Sequence, residues 1–262
     1  MLLVVDVGNT HTAIGVFEGD RIIGHWRIST NFKKTEDEFA MLFKNFLDEK
    51  GLNYSHIKGI AISCVVPPLI WILEKMSRVY FGLQPIVVNS KINLNIKIRT
   101  DYPEELGADR IVNAAAVSSI YEVPAIIIDY GTATTFCALD KDKNYLGGAI
   151  APGIELSSNA LFERTAKLPE VELIKPEQSI GKNTIQALQS GIVLGHLGLT
   201  GKLIECFKNE LKGKPVVIAT GGLAELIGKS CPEIDKVDSL LTLKGLNIIY
   251  KLNNIQKKKV DF

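Results

Sequence analysis

LLVVDVGNT at Leu2–Thr10 and AIIIDYGTATT at Ala125–Thr135 are two versions of one sequence motif. In each, a run of apolar and largely β-branched residues ends in an aspartate, followed by a glycine and threonine. Such a run predicts a buried strand that delivers a turn to the edge of a sheet. Because Asp6 and Asp129 occupy matching places, the repetition predicts two related half-domains that face one ligand.

The composition favours a globular protein of the cytosol. Of the 262 residues, 46% are hydrophobic, which is enough for a substantial core, and the net charge is +1, so no overall field recruits nucleic acid or an anionic membrane. The four cysteines are scattered without a Cys-x-x-Cys pair, which argues for reduced thiols and against a zinc site or disulfide frame. The N-terminus lacks the basic region of a signal peptide, and no apolar stretch is long enough to span a bilayer. We therefore expect a cytoplasmic location without nucleic-acid or membrane partners.

The pattern of strands and helices restarts in the middle of the chain. Strand runs followed by helices, repeated twice, predict an α/β architecture in two similar lobes, residues 1–118 and 119–262. The predicted strands are 2–7, 11–18, 21–29, 57–66, 86–88, 125–129, 134–140, 145–150 and 216–220. The predicted helices are 35–49, 69–81, 107–121, 154–164, 184–211, 223–228 and 243–252.

The first copy of the motif, at Leu2–Thr10, has the chemistry of a phosphate site. Gly8 lets the backbone approach a phosphate closely, and Asn9 and Thr10 can donate hydrogen bonds to its oxygens. A carboxylate beside phosphates is repulsive unless a cation lies between them, so Asp6 implies magnesium, bound through water. The alternative is a plain hairpin turn, in which Asp and Gly are common. The second copy, at Asp129, favours the functional interpretation.

A third element, VVIATGG at Val216–Gly222, is a predicted strand that ends in a glycine pair before a helix. Gly221 and Gly222 would let a flat nucleoside lie against bare backbone, although a simple strand-to-helix turn has the same sequence. The competing phosphate motif is GHLGLTGKL at Gly195–Leu203. It has the wrong spacing for a P-loop, and no strand precedes it.

A candidate general base lies between the two predicted lobes, in the segment Gly107-Ala108-Asp109-Arg110. Asp109 at a helix start can be a simple cap or a partner of the helix dipole. Its functional interpretation is a base that accepts the proton of a substrate hydroxyl as that hydroxyl attacks ATP. Arg110 suits an anionic substrate group because its guanidinium matches a carboxylate. The alternative interpretation is that Arg110 is an ordinary surface arginine.

At this point several ordered motifs coincide with one family, and the chain closely resembles type III pantothenate kinases. That family belongs to the actin-like superfamily of sugar kinases, actin and Hsp70-type ATPases, whose lobes are ribonuclease H-like mixed sheets flanked by helices, with the nucleotide in the cleft between them. The motifs are DVGNTHTA (6–13), TEDE (35–38), SCVVPP (63–68), GADRIVNA (107–114), DYGTATT (129–135), GGAIAPG (147–153), TAKLP (165–169), GKNT (181–184) and ATGG (219–222).

The resemblance implies an ATP-dependent phosphorylation of pantothenate, the first step towards coenzyme A. It implies that Asp109 is the proton acceptor, that Thr132 contacts ATP, and that Asp129 holds a potassium or ammonium ion. It also implies a homodimer with active sites at the subunit interface, so that Thr184 contacts pantothenate from the partner chain. The pantothenate site would be lined by Gly107, Ala108, Asp109 and Arg110. ATP phosphates would be bound by Asp6, which serves magnesium, and by Val7, Gly8, Asn9, Thr10, His11, Thr12 and Ala13.

One segment departs from the family's pattern. The family usually places a tyrosine that contacts pantothenate two residues before an Asn-Pro-x-Glu stretch. Here Thr100 stands at the aligned position, and Tyr102 replaces the asparagine before Pro103. Either Tyr102 takes over the contact from a shifted backbone, or the contact is lost.

Two other functions fit parts of the same sequence. Relatives of the family include transcriptional accessory factors without catalysis, but both aspartates and the segment at 107–110 are present here and no basic patch for DNA is apparent. A different kinase or ATPase of the superfamily would share the fold. The segments at 107–110 and 181–184 favour pantothenate as the substrate.

Overall fold

The computed structural model describes the backbone of residues 1–260 and the side chains of residues 1–254. The described strands are β1 (Leu2–Val7), β2 (His11–Glu18), β3 (Arg21–Ser29), β4 (Gly59–Cys64), β5 (Ile86–Val87), β6 (Lys97–Ile98), β7 (Ala125–Tyr130), β8 (Ala133–Leu139), β9 (Asn144–Pro152), β10 (Val216–Thr220) and β11 (Lys236–Val237). The described α-helices are α1 (Glu36–Glu49), α2 (Pro67–Phe81), α3 (Ala108–Ile120), α4 (Ile154–Arg164), α5 (Thr184–Gln189), α6 (Gly195–Glu210), α7 (Ala224–Gly228) and α8 (Leu241–Val260).

The first compact unit consists of Met1–Ser119 together with the helix that begins at Leu241. Its sheet has the strand order β3-β2-β1-β4-β5, in which β1 is antiparallel to β2 and parallel to β4. One face of β1 is apolar through Leu3, Val5 and Val7, and it belongs to the same hydrophobic core as α1 and α2. The opposite face of β1 carries Asp6 at its carboxyl end.

The second compact unit, Ile120–Leu240, repeats this arrangement. Its strands follow the order β11-β10-β7-β8-β9, with β7 antiparallel to β8 and parallel to β10. The strands β1 and β7 have the same length and the same burial pattern, and each carries a half-buried aspartate at its next-to-last position. The predicted duplication of an α/β unit with a mixed sheet is therefore confirmed at the level of strand order, direction and register.

The C-terminal helix α8 does not follow the predicted division of the chain between residues 118 and 119. That division placed all of 119–262 in the second lobe. The structure assigns α8 to the first unit instead. Its Asn247 side chain donates to the carbonyl of Gly19 at 3.0 Å, and Lys251 pairs with Asp20 at 2.5 Å. Its amphipathic sequence predicts that one face is buried, but such a pattern does not say against which sheet.

Two helices begin or continue differently from the sequence prediction. The prolines at 67 and 68 were expected to close a strand, but α2 begins at Pro67, where a missing N–H costs nothing because the first turn has no intrahelical partner for it. The predicted helix 184–211 was expected to be interrupted by glycines. Instead α5 and α6 are joined by a π-helical segment at Ser190–Leu194 that keeps the chain helical.

Two buried hydrogen bonds connect α6 to the β7–β8 hairpin. His196 Nε2 lies 2.9 Å from the Thr134 hydroxyl, and the Tyr130 hydroxyl lies 3.2 Å from that of Thr200. Burial lowers the pKa of His196, so its ring stays neutral near pH 7. These bonds fix the hairpin whose turn carries Gly131 and Thr132.

Among the described residues, no helix is both long enough and apolar enough to cross a membrane.

The packing of α8 on β4 can be tested at Gly59. A Cβ at this position would overlap the hydroxyl and ring of Tyr250 on α8, so we expect Gly59→Ala to lower the free energy of unfolding by about 1–3 kcal/mol. The measurement is urea unfolding followed by circular dichroism. Gly198→Ala is the matched control, because a Cβ there meets nothing within 4 Å and alanine favours a helix.

Removing the ring should relieve the overlap. In a Tyr250→Ala background, Gly59→Ala should therefore cost much less than in the wild type. Strictly additive losses in the double variant would contradict this packing.

Candidate active site

The candidate phosphate-binding region of the first unit is the turn between β1 and β2. Asp6 is the half-buried, next-to-last residue of β1, where it pairs with Ala13 on one side and with Ser63 of β4 on the other. The turn is closed by a hydrogen bond from the Gly8 N–H to the His11 carbonyl, at 3.0 Å. A Cβ on Gly8 would lie 3.0 Å from the same carbonyl oxygen, so a side chain there would press against the turn.

The predicted phosphate-binding residues of this turn divide into two groups. Asn9 and Thr10 are exposed, and Gly8, His11 and Ala13 are half-buried, so all of these can meet a ligand. The side chains of Val7 and Thr12 are fully buried. Those two residues can reach a ligand only through their backbone, or act by supporting the turn.

Thr30 is a supporting residue that the sequence analysis missed. Its hydroxyl donates to the carbonyl of Gly8 at 2.7 Å and lies 2.9 Å from the hydroxyl of Thr12. Its backbone N–H donates to the carbonyl of Thr10 at 2.9 Å. Thr30 therefore fastens both arms of the turn from the end of β3. No signal near Asp6 in the sequence points to it, because the two residues are 24 positions apart and a hairpin lies between them.

Asp109 lies in the first turn of α3 and is half-buried. Its Oδ1 accepts the backbone N–H of Arg110 at 2.8 Å. A Cβ on Gly107 would lie 2.5 Å from that same Oδ1, so glycine leaves the room that the carboxylate occupies. The structure thus places the predicted base at a helix start, held by the backbone N–H of the next residue, with Gly107 and Arg110 beside it.

The departure from the family pattern at residues 100–104 becomes clearer in the structure. The side chain of Tyr102 is 63% exposed, and the residue directly precedes a short 3₁₀ helix at Pro103–Glu105. The hydroxyl of Thr100 is buried and has no hydrogen-bond partner among the described residues. A buried hydroxyl without a partner is unusual in a folded protein, which makes Thr100 a candidate ligand contact of its own.

A candidate region of the second unit lies around Asp129. This residue pairs with Thr135 of β8 and with Thr220 of β10. Gly221 follows β10 with φ +95°, and a Cβ there would lie 2.5 Å from Asp129 Oδ1. The structure thereby brings Asp129 and the predicted glycine pair together, and only glycine fits at position 221.

The turn that carries Gly131 and Thr132 is exposed and abuts the start of α4. Gly153 donates its backbone N–H to the carbonyl of Thr132 at 3.1 Å. A Cβ on Gly153 would overlap the carbonyl oxygens of Gly131 and Thr132. Gly153 was quoted within a motif but was not predicted to act at the site. The Pro-Gly pair before a helix was the signal for it.

Thr184 is exposed at the first position of α5, next to its cap residue Asn183. The Asn183 side chain accepts the N–H of Gln186 at 2.9 Å. A groove of about 310 Å³ lies between α4 and the continuous helical run from α5 to α6. Its walls are largely apolar and include Leu161, Ile192 and Leu199. None of the predicted site residues lines this groove.

The residues around Asp6 fit a magnesium ion that is bound mainly by water and phosphate. No group of three or more His, Cys, Asp or Glu side chains that could hold a metal occurs among the described residues. Mg²⁺ commonly takes one or two carboxylates and completes its shell with substrate phosphates and waters, and a single Asp6 at an open turn suits that mode. The hydroxyl of Ser63, paired with Asp6 in the sheet, is buried without a partner among the described residues.

Cys64, next to Ser63, is not a reactive thiolate. Burial, with a smaller contribution from the charge of Asp6, raises the pKa of its thiol to about 11. The thiol donates to the carbonyl of Val66 at 3.1 Å. It therefore stays protonated at neutral pH and supports the chain where β4 leads into α2.

The solved structures that resemble this chain show its fold. One is described as a Baf family transcriptional activator from Campylobacter jejuni, with TM-score 0.62 and 21% identity over 97% of this chain and 99% of that one. Another is an inorganic polyphosphate/ATP-glucomannokinase from an Arthrobacter species, with TM-score 0.50 and 12% identity over 97% of this chain and 98% of that one. At these identities the likeness concerns architecture, and it confirms the predicted actin-like fold class.

The sequence comparisons are more specific. The family model for type III pantothenate kinase matches residues 2–206. A type III pantothenate kinase of Halalkalibacterium halodurans is 48% identical over 253 residues, which cover 97% of this chain and 100% of that protein. This chain belongs to the type III pantothenate kinase family.

Proposed function

We propose that this protein transfers the γ-phosphoryl group of ATP to the primary hydroxyl of pantothenate and so catalyses the first step of coenzyme A synthesis. The observation that carries the proposal is the 48% identity to a type III pantothenate kinase over nearly the full length of both chains. The geometry agrees with it, because Asp109 and Asp129 each lie beside a glycine that leaves room for the carboxylate, and Asp6 lies next to the β1–β2 turn.

In this proposal the β1–β2 turn binds the phosphates of ATP. The backbone of Gly8 and the exposed Asn9 and Thr10 supply hydrogen-bond donors to phosphate oxygens. Magnesium supplies positive charge that offsets the charge on the transferred group. Asp6 would hold a water of that ion, and Thr30 keeps the turn in shape beneath it.

Asp109 would accept the proton of the pantothenate hydroxyl. Phosphoryl transfer depends mainly on positioning and charge, so this carboxylate must be aimed before the reaction. The bond from the Arg110 N–H to Asp109 Oδ1 at 2.8 Å supports that role, because it holds one oxygen and leaves the other available. Arg110 itself would bind the carboxylate of pantothenate.

Asp129 would hold a monovalent cation, potassium or ammonium, that completes the nucleotide site. A single positive charge there reduces the repulsion between this carboxylate and a bound nucleotide. Thr132, in the exposed turn beside it, would contact ATP, and Gly221 and Gly222 would leave flat backbone for the nucleoside. The close approach of Gly221 to Asp129 Oδ1 supports placing both at one site.

Burial and exposure support the proposed pantothenate contacts at residues 100–102 and 184. Thr100 is preferred over Tyr102, because its buried hydroxyl lacks a partner among the described residues, whereas Tyr102 points largely into solvent. Thr184 would reach pantothenate from the partner subunit of a homodimer. Exposed apolar side chains on α4 support self-association of the second unit, and they are Leu156, Leu161 and Phe162.

We place the enzyme in the cytoplasm, where ATP and reduced thiols are available. A non-catalytic transcriptional accessory role is the second candidate, because a Baf family activator shares the fold at TM-score 0.62. That likeness is at 21% identity and concerns architecture alone. The family match and the intact acidic residues favour the kinase.

The first test is the reaction itself and its dependence on a monovalent cation. Purified protein with ATP, magnesium and pantothenate should release ADP, and potassium or ammonium should raise the rate at least tenfold. Asp129→Asn should lower the rate and remove its dependence on the cation, since the charge that binds the ion is gone. Absence of turnover with every cation would refute the kinase.

Asp109→Asn tests the base. The amide keeps the size of the side chain but cannot accept the proton, so kcat should fall by about 10²–10⁴-fold. The dissociation constant for ATP should stay within a factor of two or so, measured by isothermal titration calorimetry. An unchanged kcat would remove Asp109 from the mechanism.

A mixing experiment tests whether Thr184 acts across subunits. Asp109→Asn and Thr184→Val should each be impaired alone at low pantothenate, and co-expression should restore about one quarter of wild-type activity through heterodimers with one intact site. Each subunit carries its own tag, so that the heterodimer can be isolated. If the isolated heterodimer is no more active than the two parents, Thr184 does not act from the partner subunit.

A further inference from the structure

We infer that Ser63 is a positioning residue for Asp6. In the complex with magnesium and nucleotide, its hydroxyl donates a hydrogen bond to the Asp6 carboxylate and holds that carboxylate towards the metal's water shell. The inference rests on the proposed role of Asp6 and deepens it, since neither the sequence motifs nor the family resemblance assigned any function to Ser63.

The first observation is the state of the hydroxyl itself. Ser63 is 0% exposed, and its Oγ has no hydrogen-bond partner among the described residues. Ser77, equally buried in the same unit, instead donates its hydroxyl to the carbonyl of Leu73 at 2.7 Å. A buried hydroxyl without a partner destabilises the folded protein, so its presence calls for a state in which the partner exists.

The second observation is the register of the sheet. Ser63 and Asp6 are Cα partners in the parallel pair of β4 and β1. Their side chains therefore leave the same face of the sheet, with the strands about 4.8 Å apart. On the other side of Asp6 the partner is Ala13, which has no polar side chain. Ser63 is thus the paired neighbour that can hydrogen-bond to the Asp6 carboxylate.

The third observation is that the second unit repeats the pair. Asp129 and Thr220 are Cα partners in the parallel pair of β7 and β10, at the same place in the equivalent sheet. Thr220 is 1% exposed, so it too is a hydroxyl residue buried beside an aspartate at the carboxyl end of a strand. Both units therefore combine a turn aspartate with a buried hydroxyl on the adjacent parallel strand.

The contact depends on the rotamers of the two side chains. A serine hydroxyl turns about a single side-chain bond and can donate to a carboxylate that leaves the same face of the sheet. Carboxylates that serve a metal are commonly fixed by a hydrogen bond from a neighbouring residue, and losing such a bond weakens metal binding by about 10–100-fold. The hydroxyl of Ser63 would then have a hydrogen-bond partner.

The experiment compares Ser63→Ala with Ser77→Ala in the full-length protein. Two quantities are measured: the melting temperature without ligands, and the dissociation constant of Mn²⁺ in the presence of ADP, by electron paramagnetic resonance. Ser63→Ala should melt about 2–4 °C higher, because it removes an unpartnered buried hydroxyl, and should bind Mn²⁺ about tenfold more weakly. Ser77→Ala should melt lower and bind Mn²⁺ as the wild type does, since it loses a made hydrogen bond remote from Asp6.

Ser63→Thr and Asp6→Asn complete the test. Ser63→Thr keeps the hydroxyl, as the second unit does at Thr220, and should restore Mn²⁺ binding towards that of the wild type. Wild-type Mn²⁺ binding by Ser63→Ala, or a lowered melting temperature in that variant, would overturn the inference. If Asp6→Asn weakens Mn²⁺ binding while Ser63→Ala does not, the role of Asp6 survives and only the inference fails; if Asp6→Asn binds Mn²⁺ normally, the proposed role of Asp6 fails as well.

Discussion

The pairing of one aspartate-bearing strand with partners on both sides is the constraint on which this structure depends. β1 is held between β2 and β4, and β7 is held between β8 and β10. Hydrogen bonds on both edges fix the backbone of Asp6 and Asp129, so that each carboxylate is presented by a rigid frame. The turns that follow are then free to be glycine-rich, exposed and shaped for a ligand, because the sheets already supply the stability.

The same constraint explains why glycines recur beside the carboxylates. Gly107 leaves room for Asp109, and Gly221 leaves room for Asp129, each with 2.5 Å between the carboxylate oxygen and the place where a Cβ would lie. In both cases a side chain would displace the carboxylate rather than merely crowd it. The acidic residues and their glycines therefore form geometric pairs, and a substitution at either member changes the same site.

Local patterns in the sequence were sufficient to predict nine of the eleven described strands, the duplication and the aspartates that follow or end apolar runs, but not the two-residue strands β6 and β11. Asp6 and Asp129 each follow an apolar run that identifies its strand, and Asp109 follows a glycine at a helix start. The contributions of Thr30, Gly153 and Ser63 were not predictable, because each depends on which distant strands or turns become neighbours. The position of α8 was missed for the same reason: its apolar stripe requires a partner, but the choice between two similar sheets is made by particular contacts, such as those of Asn247 and Lys251.

The return of α8 to the first unit has a consequence for synthesis on the ribosome. The first unit is discontinuous in the chain, since the whole of Ile120–Leu240 is translated between α3 and α8. Gly59 on β4 and the turn at Gly19 therefore cannot make their contacts with α8 until that helix has been synthesised. The second unit is continuous and can complete its sheet first. Although its N-terminal strand is made first, the unit to which that strand belongs is the later of the two to acquire all of its parts.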